Sequence, residues 1–168
     1  MMPGDLFFLL PSPELDRLPL LVATVLGTGL LEPLRAGLAL AVSFPLILAA
    51  NRAGPRWARA LGLAGLVMLG WWAAESWGSA TGTSDDRRIV IDEVAGALAM
   101  ALAAPRLRAI PLGGLALAFL ALDRLKPWPF SAFENLSGGI GVMADDLAVG
   151  LAIGVAATAL DRMMRLRG

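Results

Sequence analysis

Two acidic pairs interrupt the most apolar stretches of this chain: Asp92-Glu93 in IVIDEVAGALAMALA and Asp145-Asp146 in VMADDLAVGLAIGVA. Each pair is followed by a glycine one helical turn on, because Asp92 to Gly96 and Asp146 to Gly150 are both i,i+4. A carboxylate at the middle of a bilayer-spanning helix costs about 3 kcal/mol, so four uncompensated ones would cost about 10 kcal/mol. On facing helices, with the glycines allowing close backbone approach, Asp92, Glu93, Asp145 and Asp146 could converge on one hard divalent cation. Mg²⁺ suits such a set, because it takes carboxylate oxygens and keeps waters and substrate phosphate in its shell. It would polarise a phosphoryl group and lower the pKa of a bound water, while one carboxylate accepts the proton.

Three neighbouring segments extend that chemistry. In LDRLKPWPF, Asp123 and Lys126 are i,i+3 neighbours on one helix face. Pro127 biases Lys126 out of helical geometry, so the helix should stop there with an acid and an amine at its end. Trp128 is suited to the headgroup layer. An ordinary interfacial helix end with a snorkelling lysine is the plainer reading of the same residues. In SGGIGVMADD, Gly138, Gly139 and Gly141 immediately precede the second acid pair. Glycines let successive backbone N–H groups ring an anion, and a helix start adds its positive end; a simple turn is the alternative. In SDDRRIVIDE, Ser84 or Asp85 could cap a helix, and Arg87 and Arg88 carry planar donors suited to phosphate oxygens or to a solvated loop. Asp85 and Asp86 divide between capping and a role outside the metal's direct ligands.

Histidine, cysteine and tyrosine are all absent. That removes the usual general base, phosphohistidine and thiolate nucleophiles, Cys/His zinc sites and cysteine redox chemistry. Histidine-based lipid phosphatases are excluded by residue content alone. The formal charge of zero offers no basic face for nucleic acid.

The elements that must hold these residues are apolar. At 168 residues the chain has the length of one domain, and 57% hydrophobic content with mean hydropathy +0.70 exceeds the usage of soluble domains. Apolar stretches run about Leu18–Leu31, Ala36–Ala50, Ala58–Ala74, Ile89–Ala104, Ile110–Leu122 and Val142–Leu160. Several fall short of the roughly 20 residues that cross a bilayer untilted. The expectation is an all-α, polytopic membrane bundle of four to six helices, some short or re-entrant, forming a single membrane-embedded domain over 1–168. The segment 1–17 reads as an interfacial or flexible amino-terminal tail, lacking the basic start of a signal peptide.

If every stretch spans, the polar connections sort into two groups. Asn51–Arg59, Arg106–Arg108 and Arg162, Arg165 and Arg167 share one side; Arg35, Ser84–Arg88 and Asp123–Gly141 share the other. The arginine count taken alone turns the first group to the cytoplasm. Arg87, Arg88, Arg124 and Lys126, if fixed by a site, do not count as topological signals, and the expectation adopted is a multi-pass protein of the bacterial plasma membrane with its active site toward the cytoplasm.

The run IVIDEVAG, then LDRLKPWPF, then GGIGVMADDLAVG resembles the three signature segments of the phosphatidylglycerophosphatase A family of integral-membrane lipid phosphatases. The resemblance spans about Asp85 to Gly150, in order. It implies Mg²⁺-dependent hydrolysis of phosphatidylglycerophosphate to phosphatidylglycerol and phosphate in phospholipid biosynthesis. The matching positions are Asp85, Asp92, Glu93, Gly96, Asp123, Lys126, Pro127, Pro129, Gly138, Gly139, Gly141, Asp145, Asp146 and Gly150. Two departures stand out. GTGL is kept at Gly27 to Leu30, but LEPLRAGLAL follows where the family has a Pro-Gly-Thr-x-Gly-Ser element, and Leu120 follows Phe119 where the family places arginine. Arg35, Arg87 or Arg88 are the candidates to replace the lost phosphate contacts.

The expected roles are then catalytic for Asp92, Glu93, Asp123, Asp145 and Asp146, and metal-binding for Asp92, Glu93, Asp145 and Asp146. Substrate binding falls to Lys126, Arg87, Arg88, Gly138, Gly139 and Gly141. The partner is a phospholipid substrate in the membrane, with a homo-oligomer compatible with the sequence. Two other classes stay open: a catalytically silent membrane scaffold or subunit of the same fold, and an ion or proton pathway through the intramembrane carboxylates.

Overall fold

In the computed structural model, residues 8–52, 54–83 and 85–167 are described. Six α-helices account for most of them: α1 Arg17–Ala23, α2 Arg35–Arg52, α3 Arg56–Thr81, α4 Ile91–Ala103, α5 Ala109–Leu125 and α6 Gly138–Arg167. The all-α bundle expected from the apolar stretches is the observed class. Sheet is confined, among the described residues, to Phe8–Leu9 paired antiparallel with Leu31–Glu32. Of the tail expected over residues 1–17, residues 1–7 lie outside the described residues.

The first apolar stretch is not one helix. α1 stops after Ala23, where the Thr24 hydroxyl donates to Leu20 O at 2.7 Å and accepts from the Gly27 amide at 3.0 Å. Val25, Leu26 and Gly27 then take positive φ, and a short 3₁₀ turn leads into the Leu31–Glu32 strand. Side-chain competition for backbone groups ends the helix where hydropathy alone would continue it. Gly29 lies in this turn against the Arg88 carbonyl, where a Cβ would come within 2.1 Å. The turn is thereby pressed onto the segment that leads into α4.

α4 is the centre of the bundle. Every residue from Val94 to Ala101 is buried, and it packs against α2, α3, α5 and, most extensively, α6. The reason is the small side chains of Ala95, Gly96, Ala97, Ala99 and Ala101, which let neighbouring backbones approach. Larger residues fill the periphery of this contact, with Phe119, Leu112, Ile47, Met100 and Val149 in one cluster and Trp77, Ile91 and Met143 in another.

α3 and α6 are long and apolar enough to cross a membrane. Only 17% of the most apolar window of α3 is buried, which separates it from the core helix of a water-soluble domain. Leu61, Met68, Leu69, Trp71 and Trp72 stand exposed on α3. A continuous apolar exterior of this kind is a liability in water and costs nothing in lipid.

Polar side chains collect at both ends of α4. Asn51, fully buried, donates to the carbonyls of Ala101 (2.6 Å) and Pro105 (3.1 Å) and accepts from the Leu107 amide (2.8 Å), tying the α2 end to the α4–α5 connection. Arg35, Asp85–Arg87 and Asp123–Lys126 gather at the other end of α4.

Candidate active site

α4 begins at Ile91 with Val90 in the capping position and no side-chain cap. Ser84 lies outside the described residues, Asp85 stands exposed at the mouth of the cavity, and neither Asp85 nor Asp86 caps α4. Asp92 and Glu93 therefore occupy the first turn, where the positive end of the helix favours negative charge. α6 begins at Gly138, so Asp145 and Asp146 lie about two turns inside it, both buried, rather than at its start.

The two acid pairs meet because of the glycines that follow them. A Cβ on Gly96 would sit 2.6 Å from the Asp146 carbonyl and 2.7 Å from the Phe119 ring. Further along, a Cβ on Gly154 would lie 2.4 Å from the Met100 carbonyl. Side-chain-free positions thus bring α4 and α6 into backbone contact, and the acids one turn earlier are drawn together.

Carboxylate oxygens of Asp92, Glu93 and Asp146 lie within 4.8 Å of one another. Asp92 Oδ1, Glu93 Oε2 and Asp146 Oδ2 are buried without a hydrogen-bond donor among the described residues. Buried anionic oxygens this close repel and lack the donors that normally offset desolvation. A divalent cation seated among them removes both penalties, so the donor set fits Mg²⁺ chemically. Asp123 from α5 faces Glu93 and Asp146 closely enough to act on both electrostatically.

Asp145 is differently engaged. Its Oδ2 accepts from Lys126 Nζ at 2.6 Å and its Oδ1 from the Asp146 amide at 2.9 Å. It stands outside the three-carboxylate group, a difference from the four-acid metal set expected from sequence. The cause is local: α5 ends at Leu125, and Lys126 takes a left-handed conformation (φ 36°) that carries its ammonium to α6. The helix end before Pro127 is where the sequence puts it, and Trp128 is exposed beyond it.

These residues line one cavity of about 470 Å³, together with Arg35, Arg87, Leu120 and Arg124. Glu32, buried beside Arg35 of the cavity lining, carries no motif that singles it out. Its Oε1 pairs with Arg35 and lies 3.6 Å from Arg87. The only available signal was the Glu32 to Arg35 spacing of i,i+3. Both residues belong to the segment that replaces the missing glycine-rich element.

Arg88 does not reach the cavity. Its guanidinium donates to both Asp86 oxygens (2.8 and 2.6 Å) and to the Pro11 carbonyl, and it stacks 5.0 Å from the Trp77 ring. Burial pushes the Asp86 carboxyl up, but the donors of Arg88 outweigh that and hold it below its usual range. Gly138, Gly139 and Gly141 are displaced as well. The Gly139 amide donates to Glu75 Oε2 of α3 at 2.9 Å, and a Cβ on Gly141 would meet the Leu136 carbonyl at 2.0 Å. A carboxylate of the protein, and not a phosphate, occupies this glycine-rich helix start.

A profile of the phosphatidylglycerophosphatase A family matches residues 21–161. A protein of Bacteroides thetaiotaomicron, provisionally named a phosphatidylinositol-3-phosphatase, is 35% identical over 142 residues, spanning 80% of this chain and 87% of its own length. No solved structure matches the chain significantly.

Proposed function

Because this chain belongs to the phosphatidylglycerophosphatase A family of lipid phosphatases, we propose that it hydrolyses phosphatidylglycerophosphate to phosphatidylglycerol and inorganic phosphate, with Mg²⁺ as cofactor, in the bacterial plasma membrane. The observation that carries this reading is the group Asp92, Glu93 and Asp146: each brings a carboxylate oxygen within 4.8 Å of the others, and each has a buried oxygen without a hydrogen-bond partner among the described residues. In this reading those three side chains hold the ion. When bound, it would supply charge neutralisation for a phosphomonoester and a lowered pKa for water.

The remaining residues act on the substrate directly. Arg35, Arg87 and Lys126 bring positive charge to a cavity that seven carboxylates also line, and bind the phosphate oxygens through charge-assisted hydrogen bonds. Arg124 lies one turn beyond Leu120 on α5, and both line the cavity. A long side chain leaning back toward the helix start there serves the role of the arginine missing at 120. Asp145 orients Lys126. Asp123, beside the three-carboxylate group but outside it, takes the proton of the attacking water. The phosphorus–oxygen bond to glycerol breaks, and the alcohol oxygen leaves with a proton from solvent. Phosphate recognition is not assigned to Arg88 or to Gly138, Gly139 and Gly141, which lie away from the cavity.

The test is phosphate release by the purified full-length protein from phosphatidylglycerophosphate, with and without Mg²⁺. Phosphatidylinositol 3-phosphate, the lipid in the relative's name, serves as the competing substrate. Both are phosphomonoesters on a lipid headgroup, and the faster turnover names the substrate. Failure to release phosphate from either, combined with ion uptake in proteoliposomes, would replace the hydrolase reading with the pathway reading.

A further inference from the structure

The end of the bundle opposite the acids carries its own recess, of about 770 Å³, enclosed by the start of α3, the α4–α5 connection and the last turns of α6. Arg56, Arg59, Arg106 and Arg162 line it, and no aspartate or glutamate does. Among the described residues, no carboxylate pairs with Arg56, Arg106 or Arg162, since the nearby Asp161 binds Arg165 instead. Arg59 Nε is buried without an acceptor. α3 begins here with no acid in its first turn and no side-chain cap, so its positive end faces the recess and offsets the negative end of α4 at Ala103. Arg59 Nη1 donates to the Ala50 and Asn51 carbonyls (3.4 and 3.3 Å), while Arg56, Arg106 and Arg162 stand exposed around the recess with no carboxylate among them, and their planar donors match the oxygens of a phosphate.

Two further features select among phosphates. An apolar groove of about 300 Å³ adjoins the recess, shares Arg56, Arg59 and Leu102 with it, and continues between α3, α4 and α6 past Leu63 and Leu151. Trp57, exposed at the first turn of α3, belongs at the headgroup layer of a bilayer. A polar anion hole that opens sideways into an apolar groove at that depth has the shape of a lipid.

We propose that this recess is a second lipid site, distinct from the acidic cavity, which holds the phosphodiester headgroup of an anionic phospholipid on Arg56, Arg59, Arg106 and Arg162 with one acyl chain in the groove beside Leu63 and Leu151. The two sites are separated by most of the length of α4, about 16 Å from Asp92 to Ala103, so one lipid headgroup cannot serve both.

The experiment titrates the full-length protein in detergent with dioleoyl phosphatidylglycerol or dioleoyl phosphatidylcholine and counts bound lipids by native mass spectrometry. The wild type is expected to prefer the anionic lipid by at least about tenfold, in keeping with charge-assisted recognition. Arg106→Gln with Arg162→Gln, both exposed positions, should abolish that preference. Arg52→Gln with Arg108→Gln removes the same charge from the same end outside the recess, and should keep it. Leu151→Trp, which fills the groove without changing charge, should weaken anionic-lipid binding at least about fivefold by occluding the acyl chain. Equal losses from the two arginine pairs would reduce the effect to diffuse surface charge and overturn the site. Displacement of the lipid by millimolar inorganic phosphate would make the occupant a free anion and overturn the lipid assignment.

Discussion

A Cβ built on Gly150 would lie 2.0 Å from the carbonyl oxygen of Gly96. The two helices that carry the acids therefore touch through backbone alone, one turn beyond Asp92 and Asp146. No side chain fits between them without moving one helix.

The first prediction concerns that contact. Gly150→Ala should destabilise the protein by about 1–3 kcal/mol, the usual cost of inserting a methyl group into a filled space. It should also cost more than about tenfold in turnover, because it spreads the carboxylates. Gly114→Ala, with open space around its Cβ in α5, should be neutral or gain up to about 1 kcal/mol from helix propensity. Thermal unfolding in detergent alongside phosphate release measures both. A Gly150→Ala protein as active and stable as the wild type would contradict the close crossing.

Removing the groups proposed to hold the ion should silence turnover without unfolding the protein. Asp146→Asn and Glu93→Gln are each expected to lose at least about 100-fold in turnover, the size of effect seen when a preorganised electrostatic group is removed. Excess chelator should do the same to the wild type, reversibly on adding Mg²⁺. Since the buried carboxylates repel one another, the substituted proteins should melt no lower than the wild type when metal is withheld. Near-normal rates in both variants would remove the site assignment.

Lys126 and Asp145 should behave as one unit. Lys126→Ala is expected to raise KM more than it lowers kcat, and Asp145→Asn to do the same by releasing the ammonium 2.6 Å away. The double substitution should then cost little more than either alone, an interaction energy of about 1–3 kcal/mol. Strict additivity of the two losses would show that the pair has no shared role.

Asn51 gives a contrast remote from the chemistry. Its side chain satisfies the Ala101 carbonyl in the last turn of α4 and the Pro105 carbonyl and Leu107 amide in the α4–α5 connection. Asn51→Leu should cost about 2–3 kcal/mol by leaving those buried groups unmet. The turnover of the fraction that remains folded should be unchanged. A large drop in turnover at unchanged stability would extend the functional region to the far end of α4.

The parts of the site that were legible in sequence are those set by local spacing. The acid pairs with a glycine at i,i+4 pointed to two facing helices, and Lys126 before Pro127 pointed to a helix end. What escaped was decided by partners distant in the chain. Gly139 looked like part of an anion-binding turn until Glu75, 64 positions earlier, took its amide. Arg88 looked like a phosphate ligand until Asp86 and Trp77 claimed its guanidinium. The break inside the apolar stretch Leu18–Leu31 was not legible because hydropathy does not register the hydroxyl of Thr24 or the positive φ of Val25 and Leu26. Asp145 could not be told from Asp146 by sequence, since only the direction of Lys126 separates them.

The close crossing of α4 and α6 is a seam and not a single point. A Cβ on Gly96, Gly150 or Gly154 would in each case meet backbone of the other helix, and beyond them the Thr158 hydroxyl donates to the Ala103 carbonyl at 2.7 Å. Two rods joined along that much of their length cannot pivot separately, so a bilayer that altered the tilt of one would carry the other with it and leave the spacing of Asp92, Glu93 and Asp146 unchanged.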